Sequence, residues 1–211
     1  MSASAALQRL SGVRIIPVVV IDDAALAPEL AAALAAGGIP CAEITLRTPA
    51  GLKALAAISD VPGFLTGAGT VLGVEQVDRC VDAGAQFLVT PGFDDDVVAR
   101  AQQHDVAILP GVATATEIQR ARRAGLNVVK FFPADRLGGL DTISALAAPF
   151  LDVRFVPSGG VNVTNAADYL RHPAIFGISG SWIATRHAIA ARRFSFIEDL
   201  SRRAAALREP A

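Results

Sequence analysis

One lysine stands in the middle of an apolar string. Val128-Val129-Lys130-Phe131-Phe132-Pro133 reads as a buried strand, where a charged amine is costly unless it is paired or neutral. Only two of the nineteen Lys and Arg residues are lysines, and the other, Lys53, falls in a helix-like segment and reads as solvated. The structural reading of Lys130 is a buried ion pair with a nearby carboxylate. The chemical reading is a nucleophile. Burial disfavours the charged form of an amine, and a neutral amine attacks a ketone to give a Schiff base. Arginine does not deprotonate and could not substitute.

A second string, Cys41-Ala42-Glu43-Ile44-Thr45-Leu46-Arg47, alternates. Period two puts Cys41, Glu43, Thr45 and Arg47 on one face and Ala42, Ile44 and Leu46 on the other. The bland interpretation is a Glu43–Arg47 salt bridge. The functional one is a general base, Glu43, beneath an anion anchor, Arg47, whose planar fork suits the carboxylate of a 2-keto acid. Third come two glycine-bearing loops, Ser158-Gly159-Gly160 and Gly180-Ser181. Their bare N–H groups make a nest for an anion such as phosphate. Together these parts describe one reaction type. Lys130 would condense with the C2 ketone of a phosphorylated 2-keto acid, and the iminium would act as electron sink. Glu43 would take the C4 hydroxyl proton, directly or through water, as the C3–C4 bond breaks. No metal and no cofactor is called for. A phosphosugar isomerase or epimerase, with Glu43 as base and Lys130 only as a cation, is the rival from another reaction class. A barrel kept only for binding or assembly is the non-enzymatic one.

Such groups need a scaffold. β-rich runs begin near Arg14, Cys41, Phe64, Gln86, Val106, Asn127, Val153 and Ala174, each followed by an Ala/Leu-rich, helix-like segment. The rhythm is that of βα units. Most runs are apolar on both faces, as buried parallel strands must be. Eight such units close into a compact (β/α)8 TIM barrel, an α/β fold whose active site lies at the C-terminal ends of the strands. An open dinucleotide-binding sheet is disfavoured, because Ile21-Asp22-Asp23 follows the first run with no glycine, and Gly67 to Gly73 has the wrong spacing. Thr48-Pro49 reads as a helix start, and Thr114 with Glu117 as a capping box. Gly37, Gly84 and Gly125 sit where helices should stop. A short helical segment is expected at about residues 3–11, and a last helix over Phe194–Leu207 with Ile197, Leu200, Ala204 and Leu207 on its apolar face. Arg202, Arg203 and Arg208 fall on its other face, read as solvated. Residues 1–211 read as a single domain.

Composition narrows the partners. The chain has 211 residues, 52% hydrophobic and 18% charged, with net charge −1. That excludes disorder as the main state and argues against nucleic acid or an anionic membrane, both of which want a basic surplus. No run is long enough to span a bilayer, and the N-terminus has no basic region followed by an apolar stretch. Cys41 and Cys80 are no disulfide framework, which fits a reducing cytoplasm. Cys41 reads as packing. His104, His172 and His187 lack ligand spacing, and Asp94-Asp95-Asp96 reads as a helix opening.

The strings Glu43-Ile-Thr-Leu-Arg47-Thr48, Gly67-Ala-Gly69-Thr70-Val71-Leu72, Thr90-Pro91-Gly92, Pro110-Gly111-Val112-Ala113-Thr114 and Val129-Lys130-Phe131-Phe132-Pro133-Ala134 resemble those of the 2-keto-3-deoxy-6-phosphogluconate (KDPG) and 4-hydroxy-2-oxoglutarate (KHG) aldolase family. So do Pro157-Ser158-Gly159-Gly160-Val161 and Gly180-Ser181-Trp182, and the resemblance runs in order from about Arg14 to about Arg192. It implies a class I aldolase of the Entner–Doudoroff pathway that yields pyruvate and glyceraldehyde 3-phosphate, on a barrel that forms homotrimers. By resemblance Lys130 is the Schiff-base lysine and Glu43 the proton acceptor and donor. Arg47, Thr70 and Pro91 line the pyruvate end, with Arg47 and Thr70 near its carboxylate, Phe132 is a further substrate-binding residue, and Gly159, Gly160, Gly180 and Ser181 hold the phosphate. Ser158 stands where the family often has threonine, a position tied to stereochemical choice at C4. Ser179 stands where a second glycine often precedes Gly180, so its side chain narrows the phosphate pocket or supplies another hydroxyl. The same chemistry on 4-hydroxy-2-oxoglutarate or on the galactonate-derived epimer is the nearest alternative.

Overall fold

Each β-rich run becomes a short strand buried along nearly its whole length. In the computed structural model, which describes residues 1–208, the strands are β1 Ile15–Val19, β2 Cys41–Thr45, β3 Leu65–Gly69, β4 Phe87–Val89, β5 Ala107–Leu109, β6 Gly111–Val112, β7 Val128–Phe131, β8 Arg154–Pro157 and β9 Ile178–Gly180. The helices are α1 Ala3–Val13, α2 Ala27–Ala36, α3 Gly51–Ala56, α4 Val74–Asp82, α5 Asp95–Gln103, α6 Ala115–Arg123, α7 Gly139–Ala147, α8 Ala166–Arg171, α9 Arg186–Ala190 and α10 Phe194–Ala206. The architecture is mixed α/β, built on a curled six-stranded parallel sheet in the order β5-β4-β3-β2-β1-β9. Strands β6-β7-β8 form a second parallel sheet. Isolated parallel bridges pair Phe155 with Ile175 and Ser158 with Ser179.

The run from Val106 departs from the expected single strand. Proline has no N–H to give to a ladder, and the chain is divided at Pro110 into β5 and β6. The Pro110 carbonyl still accepts from the Lys130 N–H at 2.9 Å. The last expected strand also starts later: only Ile175 bridges before β9 opens at Ile178.

Several helix ends follow local chemistry. Thr114 and Glu117 form the reciprocal capping box of α6, and the Asp94 carboxylate accepts from Val97 N–H at the start of α5. Gly37 caps the end of α2 with the positive φ falling on the next residue, Gly38, and Gly84 and Gly125 follow α4 and α6 with positive φ. The Thr48 reading is corrected. Helix α3 starts at Gly51 with no side-chain cap, because the Thr48 hydroxyl is drawn to the Ile21 carbonyl. The apolar face of α10 packs on the core as expected and also takes in Ser201. Ile197, Ser201 and Ala204 are buried, while Leu200 and Leu207 are only partly so. Ser201 is inside because α10 packs on the end of α2 at Gly37, where a Cβ would overlap the Ser201 side chain. Helix α1 covers the expected N-terminal segment and buries Ala6 and Leu10.

Candidate active site

Parallel strands all present their C-terminal ends to one rim, so residues at or just past those ends gather there. Arg47 and Thr70 follow β2 and β3, Pro91 follows β4, Phe132 follows β7, Ser158 follows β8, and Gly180 closes β9. Glu43 and Lys130 sit deeper, inside β2 and β7.

Those two residues meet. Lys130 Nζ lies 3.5 Å from Glu43 Oε1, and both side chains are almost fully buried, at 6% and 1% exposed. Lys130 pairs in register with Gly111 and Val156; Glu43 pairs with Val18 and Gly67. Their carbon stems are thus fixed by separate sheets. Nζ also lies 5.2 Å from the Phe132 ring centroid. Glu43 Oε1 has no hydrogen-bond partner, and its contact with the amine is longer than a hydrogen bond. Room for the carboxylate comes from Gly69, where any Cβ would overlap it. The Glu43–Arg47 salt bridge of the bland interpretation does not form.

Arg47 is exposed, and its Nε donates to the Thr70 hydroxyl at 3.2 Å. Among the described residues no carboxylate lies within ion-pair distance of it. Thr70 has φ 60°, a left-handed conformation that a β-branched residue rarely adopts. Such strain concentrates at functional sites. Pro91 is half-buried, and the preceding Thr90 ties the loop together. The Thr90 hydroxyl donates to the Gly92 carbonyl at 2.6 Å and accepts from Gly111 N–H at 3.2 Å.

On the other side of β1, Gly159 and Gly160 follow β8 with φ 86° and 88°. Two successive left-handed residues are far easier for glycine than for any other type. The loop is braced by Asn162 and Asn165, whose side-chain amides both donate to the Gly160 carbonyl at 3.0 Å. Ser158 is buried, and Ser181 is exposed beyond β9. Ser179 does supply a hydroxyl, which donates to Glu43 Oε2 at 3.3 Å. Thr90, Asn162 and Asn165 are the residues that sequence reasoning missed. The Asn pair carried a turn signal after Gly-Gly; Thr90 stood only within the Thr90-Pro91-Gly92 string, with no role assigned.

The remaining candidates lie elsewhere. His104 pairs with Asp78, and His172 Nε2 lies 3.1 Å from the Ser144 hydroxyl. Cys41 is fully buried, its thiol pushed up to about 12 by desolvation. Among the described residues no group of three or more His, Cys, Asp or Glu could hold a metal ion. An outer cavity of about 470 Å³ is lined by Gln119, Arg122, Arg123 and Asp152; Arg122 and Asp152 there neutralise each other.

The family model for KDPG and KHG aldolase matches residues 7–200. The chain belongs to this family. It is 49% identical to the 2-dehydro-3-deoxy-phosphogluconate aldolase of Treponema pallidum, over 92% of this chain and 93% of that one. Among solved structures, the aldolase resembles the KDPG aldolase of Zymomonas mobilis with 3-phosphoglycerate, at TM-score 0.88 and 39% identity, over 95% of each chain. It also resembles the KDPG aldolase of Legionella pneumophila with pyruvate captured as a covalent carbinolamine, at TM-score 0.90 and 37% identity, over 96% and 97% of the two chains. An aldolase is a carbon–carbon lyase, and an amine held beside a carboxylate is what its covalent route requires.

Proposed function

We propose that this aldolase cleaves 2-dehydro-3-deoxy-6-phosphogluconate to pyruvate and glyceraldehyde 3-phosphate through a Schiff base on Lys130. The observation that carries the reading is the buried approach of Lys130 Nζ to Glu43 Oε1 at 3.5 Å. The amine adds to the C2 carbonyl, and the carbinolamine expels water to give an iminium. Glu43 removes the C4 hydroxyl proton, the C3–C4 electrons move into the iminium, and the phosphorylated aldehyde departs. The enamine then regains a proton at C3 from the Glu43 acid, and water releases pyruvate and the free amine. Arg47 and Thr70 hold the 2-keto acid's carboxylate, and Pro91 and Phe132 flank the pyruvate carbons. Ser158 faces C4. The N–H groups of Gly159, Gly160, Gly180 and Ser181 receive the phosphate. The reaction as written uses no metal or cofactor.

The wider assignments follow the same reading. The two sheets form one (β/α)8 barrel and a single domain over the whole chain; β5 and β6 count as one strand, and the bridges at Phe155 and Ser158 support closure. The enzyme acts in the cytoplasm as a homotrimer. Among the described residues no helix is long and apolar enough to cross a membrane, and two buried free thiols suit a reducing compartment.

The test is covalent trapping. Incubation with pyruvate and borohydride, followed by peptide mapping, yields an adduct at Lys130. An adduct elsewhere, or none, removes the proposal and favours Glu43-centred isomerisation. Comparing kcat/KM for the phosphorylated gluconate- and galactonate-derived acids and for 4-hydroxy-2-oxoglutarate then fixes the substrate.

A further inference from the structure

Ser179 plays no part in the reaction as derived, yet it touches the base. It is 1% exposed, as is Glu43, and the two are 136 residues apart in the chain. Its position is fixed on both sides, by register with Ile16 of β1 and by the bridge to Ser158. A buried hydroxyl needs a partner, and this one gives its proton to Glu43 Oε2 at 3.3 Å. The other carboxylate oxygen, Oε1, is the one that faces Lys130 Nζ and has no hydrogen bond.

The division of labour between the two oxygens suggests a purpose. A glutamate's terminal torsion is broad and loosely restrained, and Gly69, against which this carboxylate lies, has no side chain to hold it. Without an anchor the carboxylate would rotate. We propose that Ser179 is a positioning residue: by donating to Oε2 it holds Oε1 toward Lys130, where the proton is taken and returned. This rests on the Lys130–Glu43 mechanism above. The direction of the hydroxyl, into the strand layer and onto Glu43, separates this role from one in the phosphate loop.

The experiment compares the wild type with Ser179→Ala, Ser179→Gly and Ser179→Thr, each checked for folding by thermal melting. The readouts are kcat and KM for cleavage, and the rate at which pyruvate methyl protons exchange with D2O. Exchange isolates proton transfer from the phosphate loop, because pyruvate carries no phosphate. Ala and Gly are expected to lower kcat and exchange about tenfold each, the loss of one hydrogen bond to a charged group, with KM within about twofold. Thr keeps the hydroxyl and restores both rates. Full-rate exchange in folded Ala or Gly variants overturns the role. So does a rise in KM at constant kcat, which would mean a phosphate contact, or a folded Thr variant no better than Ala, which would mean packing. A wild type that neither traps nor exchanges pyruvate fails the mechanism itself; a wild type that does both beside a fully active Ser179→Ala fails only the inference.

Discussion

Lys130 and Glu43 each look anomalous alone, and each explains the other. A carboxylate and an amine buried 87 positions apart are tolerable only because they end 3.5 Å from one another. Removing one partner strands the other as a buried charge, which typically costs about 3–5 kcal/mol. Lys130→Met is therefore expected to lower unfolding stability by about 3 kcal/mol in denaturant titrations and to abolish pyruvate trapping. Adding Glu43→Gln should recover most of that stability while leaving the enzyme inactive. A double variant no more stable than the single one would show that the pair is not coupled. At this scale the sequence was informative because charge is rare in apolar strands, so the exceptions stand out. Ser179 was not legible in the same way. The resemblance marks it only as a serine in place of a glycine, and only the fold shows its hydroxyl donating to a residue 136 positions distant.

The strands themselves were readable from their apolar runs, but the gaps that admit functional groups were not. Gly69 looks like any strand glycine, yet a Cβ there would overlap the Glu43 carboxylate. Gly69→Ala is expected to displace the base by about an ångström and to cut kcat about 100-fold, with a smaller effect on KM; steady-state kinetics decide it. Thr70 was likewise expected only as a lining residue, and its left-handed φ depends on tertiary context. Thr48 misled because a threonine ahead of a helix serves equally to bind a carbonyl from another loop. Helices α4 and α5 are joined by Asp78, which accepts from Arg100 and contacts His104. The Arg100 and His104 hydrogen bonds hold the Asp78 carboxyl below its ordinary 3.8. Because the folded form is depressed, its contribution to stability is present above pH 3.8 and is lost as pH falls further. The melting-temperature difference between wild type and Asp78→Asn should therefore be constant near neutrality and vanish in strong acid. Exposure keeps it small. A difference that persists at the lowest pH would locate the effect in packing.

Across the whole molecule, β1 separates two places suited to negative charge. Arg47 and Thr70 lie past β2 and β3 on one side; the Gly159–Gly160 and Gly180–Ser181 loops lie past β8 and β9 on the other. Strand order was the part least available to the sequence, since spacing counts βα units without saying how their sheet is joined at Pro110 or across β8 and β9. With the order in hand, the two anion sites become separable. On the proposed mechanism the first would hold the end of the substrate that reacts, and the second a group remote from the chemistry. Binding energy from a remote group stabilises the cleavage transition state without taking part in enamine formation from pyruvate. Ser181→Asp, which sets a carboxylate against the phosphate, should therefore raise KM for the phosphorylated acid several-fold, while pyruvate trapping at Lys130 and methyl-proton exchange stay at wild-type rates. Arg47→Met should weaken all three, because pyruvate retains the carboxylate that the proposal assigns to Arg47. Equal damage to pyruvate exchange by both substitutions would mean that the two ends of the pocket do not divide the substrate between them.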